Sequence, residues 1–396
     1  MSLEISVLLY YLVFFIVYQL FKVANNSVNE RKSKAFLLIG IIVLCLFAGL
    51  RGDRVGIDTY RTVLYRFKNI STSASLSSVL ARGLSEPILV IIPYFIKKVI
   101  NDYRAFLFVL EFLTVFPIGI VAYKLKKRAS IHITMLVYML LFFQISLNVA
   151  RQSIAVAWLL LALVEFIDKK YVNALLSAAF ATYCHGSVII GIVLLLLIYF
   201  LFTNKNKALL ISLSMIALVA YVIVILNWQQ LFGSLIERGI LTDEYTTYLK
   251  LFSGSVESSK VSFHFRTLVA ELLRLFGTII MLTNLRGMKV KDSLDIRVYE
   301  WAMIISLVIF STFVIAFNTY LGDRITLYLD YCQIPLYALM VGRKENSKRN
   351  VIGSNGRFTL KIPISGPSLC LTYCFIFNLF MFMIIGYGNT IPYYFG

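Results

Sequence analysis

The sequence predicts an all-α polytopic membrane protein. Of its 396 residues, 59% are hydrophobic and only 15% are charged, and the mean hydropathy is +0.81. A water-soluble domain could not bury so much apolar surface. Basic residues outnumber acidic ones by 38 to 20, an excess that is typical of cytoplasmic loops in membrane proteins. The net charge of +18 therefore does not indicate nucleic-acid binding.

Apolar stretches predict about twelve transmembrane helices within one integral membrane domain over 1–396. A helix needs about 20 apolar residues to cross the hydrocarbon core. The predicted spans are 4–22, 35–50, 104–123, 131–147, 151–167, 171–184, 186–202, 208–226, 266–283, 298–317, 325–341 and 368–388.

The stretch EPILVIIPYFIKKVI, residues 86–100, differs from these spans. It contains Pro87 and Pro93, ends in Lys97 and Lys98, and has only a short apolar segment between. Such a length is typical of an interfacial or re-entrant helix rather than of a crossing. We therefore predict that this segment does not cross the membrane.

Charge then predicts the orientation of the loops. Lysine- and arginine-rich runs such as KLKKR and GRKENSKR fall on one side, which the positive-inside rule makes cytoplasmic. Loop 342–367 is thus predicted to be cytoplasmic, and both termini are predicted to lie outside. The outer loops 51–103 and 227–265 are expected to form the active cavity.

Polar residues gather on the predicted outer side, beginning with GLRGDRVGIDTYRTVLY at 49–65. Arg151 and Arg324 lie at or just inside the ends of predicted helices, and His185 lies between two of them. An arginine at the membrane margin costs about 1–3 kcal/mol unless an anion compensates its charge. Several arginines on one face therefore suggest a bound anion.

Each of these residues also has a simpler interpretation. Arg51 and Arg54 would also serve as interfacial anchors paired with Asp53 and Asp58. Arg151 is long enough to reach lipid headgroups, His185 is able to bond a backbone carbonyl at a helix end, and Arg324 is able to pair with Asp323. No motif of a soluble enzyme occurs, and no metal site or cofactor is expected.

Taken in order, the polar motifs resemble those of the Wzy/EpsG-type polysaccharide polymerases. The motifs are FAGLRGDRVGIDTY at 47–60, SEP at 85–87, ARQSIA at 150–155, CHGS at 184–187, DRITLYL at 323–329 and IPYY at 391–394. The resemblance implies a GT-C-like glycosyltransferase architecture in the inner membrane. It also implies an enzyme that joins undecaprenyl-diphosphate-linked oligosaccharide repeat units, with a chain-length regulator as a possible partner and no nucleic acid.

The resemblance also suggests a role for each polar residue. Fixed guanidinium groups stabilise the negative charge that develops on a diphosphate leaving group. We expect His185 to act as the base for the acceptor hydroxyl, because histidine is mostly neutral at pH 7. Asp58 is the alternative base, or it holds an arginine in position. The predicted diphosphate ligands are Arg51, Arg54, Arg151, Gln152 and Arg324, and the predicted supporting residues are Glu86, Tyr60, Ser187 and Tyr328.

Two other functions remain open on these residues. A lipid-linked oligosaccharide flippase would be expected to carry cations at mid-depth and to have cytoplasmic termini. An O-antigen ligase needs the same outer arginines and base, and it differs only in the acceptor. The ordered motifs favour the polymerase.

Overall fold

A computed structural model describes residues 2–57, 59–71, 73, 75–80, 88–203, 234, 265–285, 293–315, 319–341 and 366–395. Within these ranges the chain is helical and contains no β-strand. The first eleven helices are α1 (Leu3–Asn26), α2 (Glu30–Gly49), α3 (Tyr65–Asn69, preceded by a π-helical segment, Thr59–Leu64), α4 (Leu76–Leu80), α5 (Ile88–Val99), α6 (Tyr103–Leu125), α7 (Ile131–Leu141), α8 (Phe143–Asn148), α9 (Ala150–Ile167), α10 (Tyr171–Cys184) and α11 (Val188–Thr203).

Five further helices complete the described chain. They are α12 (Phe265–Leu285), α13 (Leu294–Ile315), α14 (Thr319–Asp330), α15 (Gln333–Val341) and α16 (Gly366–Asn378), the last continued by a π-helical segment, Leu379–Ile384. Among the described helices, α1, α2, α6 and α9 are long and apolar enough to cross a membrane. The prediction of an all-helical membrane protein is thus confirmed. The count of twelve spans and the GT-C-like architecture stay predictions, and span 208–226 lies outside the described residues.

Two predicted spans are each divided into two helices. The stretch 131–147 breaks at Phe142, where φ is −126° and ψ is −20°, and 325–341 breaks between α14 and α15. Asn378 compensates the first break, because its side-chain nitrogen donates to the carbonyl of Leu140 at 2.7 Å and to Gln144 Oε1 at 2.9 Å. Non-helical backbone is tolerated in a membrane protein where such partners replace the lost bonds.

Helix α5 occupies the segment predicted not to cross. Its 12 described residues extend about 18 Å. The ammonium of Lys97 lies 4.9 Å from the ring centre of Phe67, next to the π-helical segment. The interfacial or re-entrant helix at 86–100 stays a prediction.

The bundle has two chemically different ends. At the basic end, Lys126 Nζ lies 3.0 Å from Ser33 Oγ, and Arg128 pairs with Asp295 at 2.5 Å. At the opposite end, the Ser6 hydroxyl accepts a bond of 3.0 Å from the backbone N–H of Tyr393. The beginning of α1 and the C-terminal tail, residues 387–395, therefore lie together, away from the lysines.

Candidate active site

The rim loop, residues 50–57, is attached to the break between α8 and α9. The Arg51 guanidinium donates to the carbonyl of Ala48 at 2.8 Å and to that of Leu147 at 3.3 Å. The hydroxyl of Thr59 bonds the carbonyls of Leu147 and Asn148 at 2.8 and 2.9 Å. Because the last carbonyls of a helix lack intrahelical partners, these side chains satisfy the ends of α2 and α8.

Two glycines allow the rim loop to approach its neighbours. A Cβ on Gly56, whose φ is +88°, would lie 2.3 Å from the carbonyl oxygen of Leu147, and a Cβ on Gly52 would lie 1.7 Å from the ring of Tyr394. The tail packs here: the N–H of Gly52 donates to the Tyr394 carbonyl at 2.7 Å, and the N–H of Arg54 donates to the Tyr394 hydroxyl at 2.8 Å. The rim loop is thus held between α8 and the tail.

The charged residues of the rim loop have different environments. Arg51 is only 1% exposed, and burial lowers the pKa of its guanidinium while the charge of Glu111 opposes that shift. The side chain of Arg54 is exposed, whereas Asp53 accepts a bond of 2.8 Å from Lys68. This geometry favours a supporting role for Arg51 and leaves Arg54 accessible to a ligand.

Tyr60, Asp58 and Glu86 complete the predictions in this region. Tyr60 is exposed, and the ammonium of Lys68 lies 5.9 Å from its ring centre. Asp58 and Glu86 lie outside the described residues. Their predicted roles therefore remain predictions.

We expect Arg51→Met to destabilise the protein more than Arg54→Met does. Loss of the buried guanidinium leaves the Ala48 carbonyl without this donor, at a cost of about 1–3 kcal/mol for an unsatisfied buried group, whereas the exposed Arg54 side chain has no comparable cost. Thermal unfolding of the two purified variants in the same detergent measures the difference. Equal unfolding temperatures would contradict the supporting role.

The first turn of α9 meets α14 through Gln152 and Arg324. Gln152 is 2% exposed. Its side-chain nitrogen donates to the backbone carbonyl of Arg324, and its oxygen accepts from Arg324 Nη1 at 3.3 Å. Arg151, the preceding residue, is half-buried. The amide of Gln152 thereby orients the guanidinium of Arg324, a predicted diphosphate ligand. Arg151, a second predicted ligand, directly precedes Gln152 in the chain.

The turn between α10 and α11 meets the same face of α14. The hydroxyls of Ser187 and Tyr328 lie 2.6 Å apart, and Tyr328 follows Arg324 by one helical turn. Gly191 permits the approach, since a Cβ there would lie 2.7 Å from that of Tyr328. His185, half-buried at the end of α10, accepts a backbone bond from Val188 at 3.0 Å. The structure thus brings Gln152, Arg324, Ser187 and Tyr328 together, with His185 two residues from Ser187.

A partly buried charge cluster on the other face of α14 was not predicted. Arg274 of α12 pairs with Asp323 and with Asp330, each at 3.1 Å, and it donates to the Thr326 hydroxyl at 3.1 Å. The Tyr387 hydroxyl of the tail donates to Asp323 at 3.3 Å. Asp323, which was considered as a local partner for Arg324, is therefore held by Arg274 and the tail.

The charge cluster around Arg274 occupies one of two chemically different faces of α14. Positions 323, 326 and 330 face α12, while Arg324 and Tyr328 contact α9 and α11. The signal in the sequence is an arginine within an apolar helix, because such a residue requires a partner. The sequence does not identify Asp323 as the partner of Arg274, since the two residues are 49 positions apart in the chain.

The sequence model of the EpsG family matches residues 34–395. No curated protein and no solved structure matches the chain. The matched region contains the rim loop, the contacts of α9 and α11 with α14, and the tail, so the predicted resemblance is confirmed. The chain belongs to the EpsG family, a family of Wzy-like polysaccharide polymerases.

Proposed function

We propose that the protein joins undecaprenyl-diphosphate-linked oligosaccharide repeat units into a polysaccharide at the outer face of the inner membrane. The growing chain would leave its lipid diphosphate and form a glycosidic bond with a hydroxyl of the next lipid-linked unit. The contact between Gln152 and Arg324 carries this proposal, because it presents an oriented guanidinium where three helices meet. Family membership supports the polymerase class.

In this proposal Arg324 and Arg151 bind the diphosphate, with Gln152 as the residue that positions Arg324. A guanidinium binds phosphate oxygens through two parallel hydrogen bonds and stays charged at all relevant pH values. The leaving diphosphate gains negative charge as the bond to the sugar breaks, and fixed donors stabilise that charge in the transition state. Arg54, exposed on the rim loop, contributes to binding at the entrance, and Arg51 supports the loop from within.

His185 takes the proton of the attacking hydroxyl in the proposed mechanism. A base of this kind must reach the hydroxyl directly or through one water molecule. The turn that carries His185 is held to α14 by the bond between Ser187 and Tyr328, so the base and Arg324 are supported by one structural unit. Asp58 is the alternative base, and Glu86 and Tyr60 are proposed to support the substrate.

The other parts of the proposal concern the surroundings of the site. The outer loops 51–103 and 227–265 form the cavity, loop 342–367 is cytoplasmic, and both termini lie outside. The location of Ser6 and Tyr393 at the same end of the bundle supports a common side for the two termini. A chain-length regulator is a possible partner.

Reconstitution provides the direct test. We expect the purified chain in lipid vesicles to convert a synthetic undecaprenyl-diphosphate-linked repeat unit into a ladder of longer lipid-linked products, which a gel or mass spectrometry resolves. In the source cell, loss of the gene should remove the ladder and retain single repeat units. Loss of all surface glycan would instead indicate a flippase, and accumulation of lipid-linked polymer would indicate a ligase.

A further inference from the structure

A groove between α2 and α6 lies at the basic end, away from the candidate active site. Its volume is about 760 Å³, within the range of about 300–1,000 Å³ that small-molecule sites occupy. None of its residues has a role in the proposed polymerase reaction. One part of its lining is apolar and the other part is basic.

The apolar part is formed by matching stripes on the two helices. Leu37 and Ile41 lie one turn apart on α2, and Phe116 and Ile120 lie one turn apart on α6, so each pair projects from one side of its helix. Ile41 is 2% exposed, and its terminal carbon lies 2.5 Å from where a Cβ on Gly119 would be. The two helices therefore touch at the floor through Ile41, and the half-buried side chains of Phe116 and Ile120 form an apolar channel above it.

The wall of the channel is open to the outside of the protein. Leu38, which also lines the groove, is 41% exposed. In a membrane, such a surface faces lipid chains, so an acyl chain can enter it without displacing protein.

Lysines surround one end of the groove, and the charge of some of them is already compensated by glutamates of the protein. Lys34 pairs with Glu30 at 2.7 Å, and Lys124 pairs with Glu165 at 2.9 Å. The ammonium of Lys126 is bonded to the Ser33 hydroxyl at 3.0 Å.

Lys127 and Lys170 differ from the other lysines of the groove. Both line it and both are exposed. In the part of the chain that the structure describes, neither forms an ion pair. Asp168, also in the lining, lies 3.9 Å from Lys124. The groove thus keeps an excess of positive charge beside its apolar channel.

We propose that this groove binds an anionic phospholipid, with its phosphate at Lys127 and Lys170 and an acyl chain along Leu38, Phe116 and Ile120. Basic pockets between transmembrane helices bind anionic headgroups through the same combination of charge and apolar surface. A free phosphate would leave the apolar channel unfilled, and a zwitterionic lipid would leave the positive charge uncompensated. An anionic phospholipid matches both parts.

Lipid titration of the purified full-length chain in detergent tests the site. Native mass spectrometry is expected to show tighter binding of phosphatidylglycerol than of phosphatidylcholine. Each lysine near an anionic headgroup contributes about 1 kcal/mol, so the double variant Lys127→Gln/Lys170→Gln should bind phosphatidylglycerol about ten- to thirtyfold more weakly. Leu38→Gln, at an exposed position, should also weaken binding.

The matched control is Lys97→Gln/Lys98→Gln, which removes the same charge from α5, on the other end of the bundle. It should leave phosphatidylglycerol binding unchanged. Equal weakening by this control, or equal binding of phosphatidylcholine, would overturn the proposal in favour of a general surface effect. Competition by millimolar inorganic phosphate together with normal binding to Leu38→Gln would also overturn it, since the site would then hold a free anion.

Discussion

Replacing Arg324 by alanine is expected to lower the rate of polymer formation by about 100- to 1,000-fold, the usual effect of removing one preorganised donor from a developing negative charge. The Gln152 side chain accepts a hydrogen bond from the Arg324 guanidinium and donates one to the backbone carbonyl of the same residue, so the guanidinium is oriented before substrate arrives. The measurement is the initial rate of ladder formation in reconstituted vesicles, normalised to the amount of monodisperse protein. Arg324→Lys should recover only part of the activity, because an ammonium does not bind phosphate bidentately.

The control for Arg324 is Arg104→Ala. Arg104 lies in the first turn of α6, at the same end of the bundle, with an exposed side chain 3.4 Å from Asp102. An exposed pair of this kind contributes about 0–1 kcal/mol, so both activity and thermal stability should be preserved. An Arg324→Ala protein with normal stability and an undiminished elongation rate would remove Arg324 from the mechanism.

The convergence of Gln152, Arg324, Ser187 and Tyr328 was predictable because topology alone determines much of it. In a bundle of antiparallel spans, alternate loops lie at the same end, so polar motifs on alternate loops share a face. The structure places α9, α11 and α14 in contact there. The pairings themselves required coordinates, because periodicity identifies a face of a helix and not the neighbour that covers it.

Arg51 illustrates what composition does not reveal. Its position in a charged loop predicts a ligand or an anchor, yet its guanidinium bonds the backbone carbonyls of Ala48 and Leu147. The Ala48 carbonyl is available because α2 ends at Gly49, and the Leu147 carbonyl because α8 ends at Asn148. The apolar pattern of 131–147 gives no sign of a short helix that ends there. The guanidinium of Arg51, a group suited to binding phosphate, therefore bonds helix-end carbonyls of the backbone.

The Arg274 cluster has a related origin. Its ion pairs with Asp323 and Asp330 join helices far apart in the chain, and breaking a buried pair by removing one partner typically costs about 3–5 kcal/mol. By fixing one face of α14, the cluster leaves the opposite face free to carry Arg324 and Tyr328. The tail joins the same unit through Tyr387, so the aromatic segment after the last helix connects the rim loop to α14.

His185→Ala is expected to lower the elongation rate by at least about 100-fold, since a positioned general base contributes about 10²–10⁴. The residue ends α10 in an extended conformation, with φ −160° and ψ 109°. The bond between Ser187 and Tyr328 fixes the turn that follows. His185→Gln, which keeps a polar side chain but cannot act as a base, should show a similar loss in the initial rate of ladder formation in reconstituted vesicles.

A second histidine supplies the matched control for His185. His132 lies in α7 at the basic end, where its ring packs edge-on against Tyr18 with centres 5.3 Å apart. His132→Gln should keep the elongation rate. The decisive comparison is with Asp58→Asn: loss of elongation there, with a normal elongation rate in His185→Gln, would transfer the role of base to Asp58. Because the diphosphate ligands are unchanged in both variants, such a result would reassign the base and leave the proposed polymerase reaction intact.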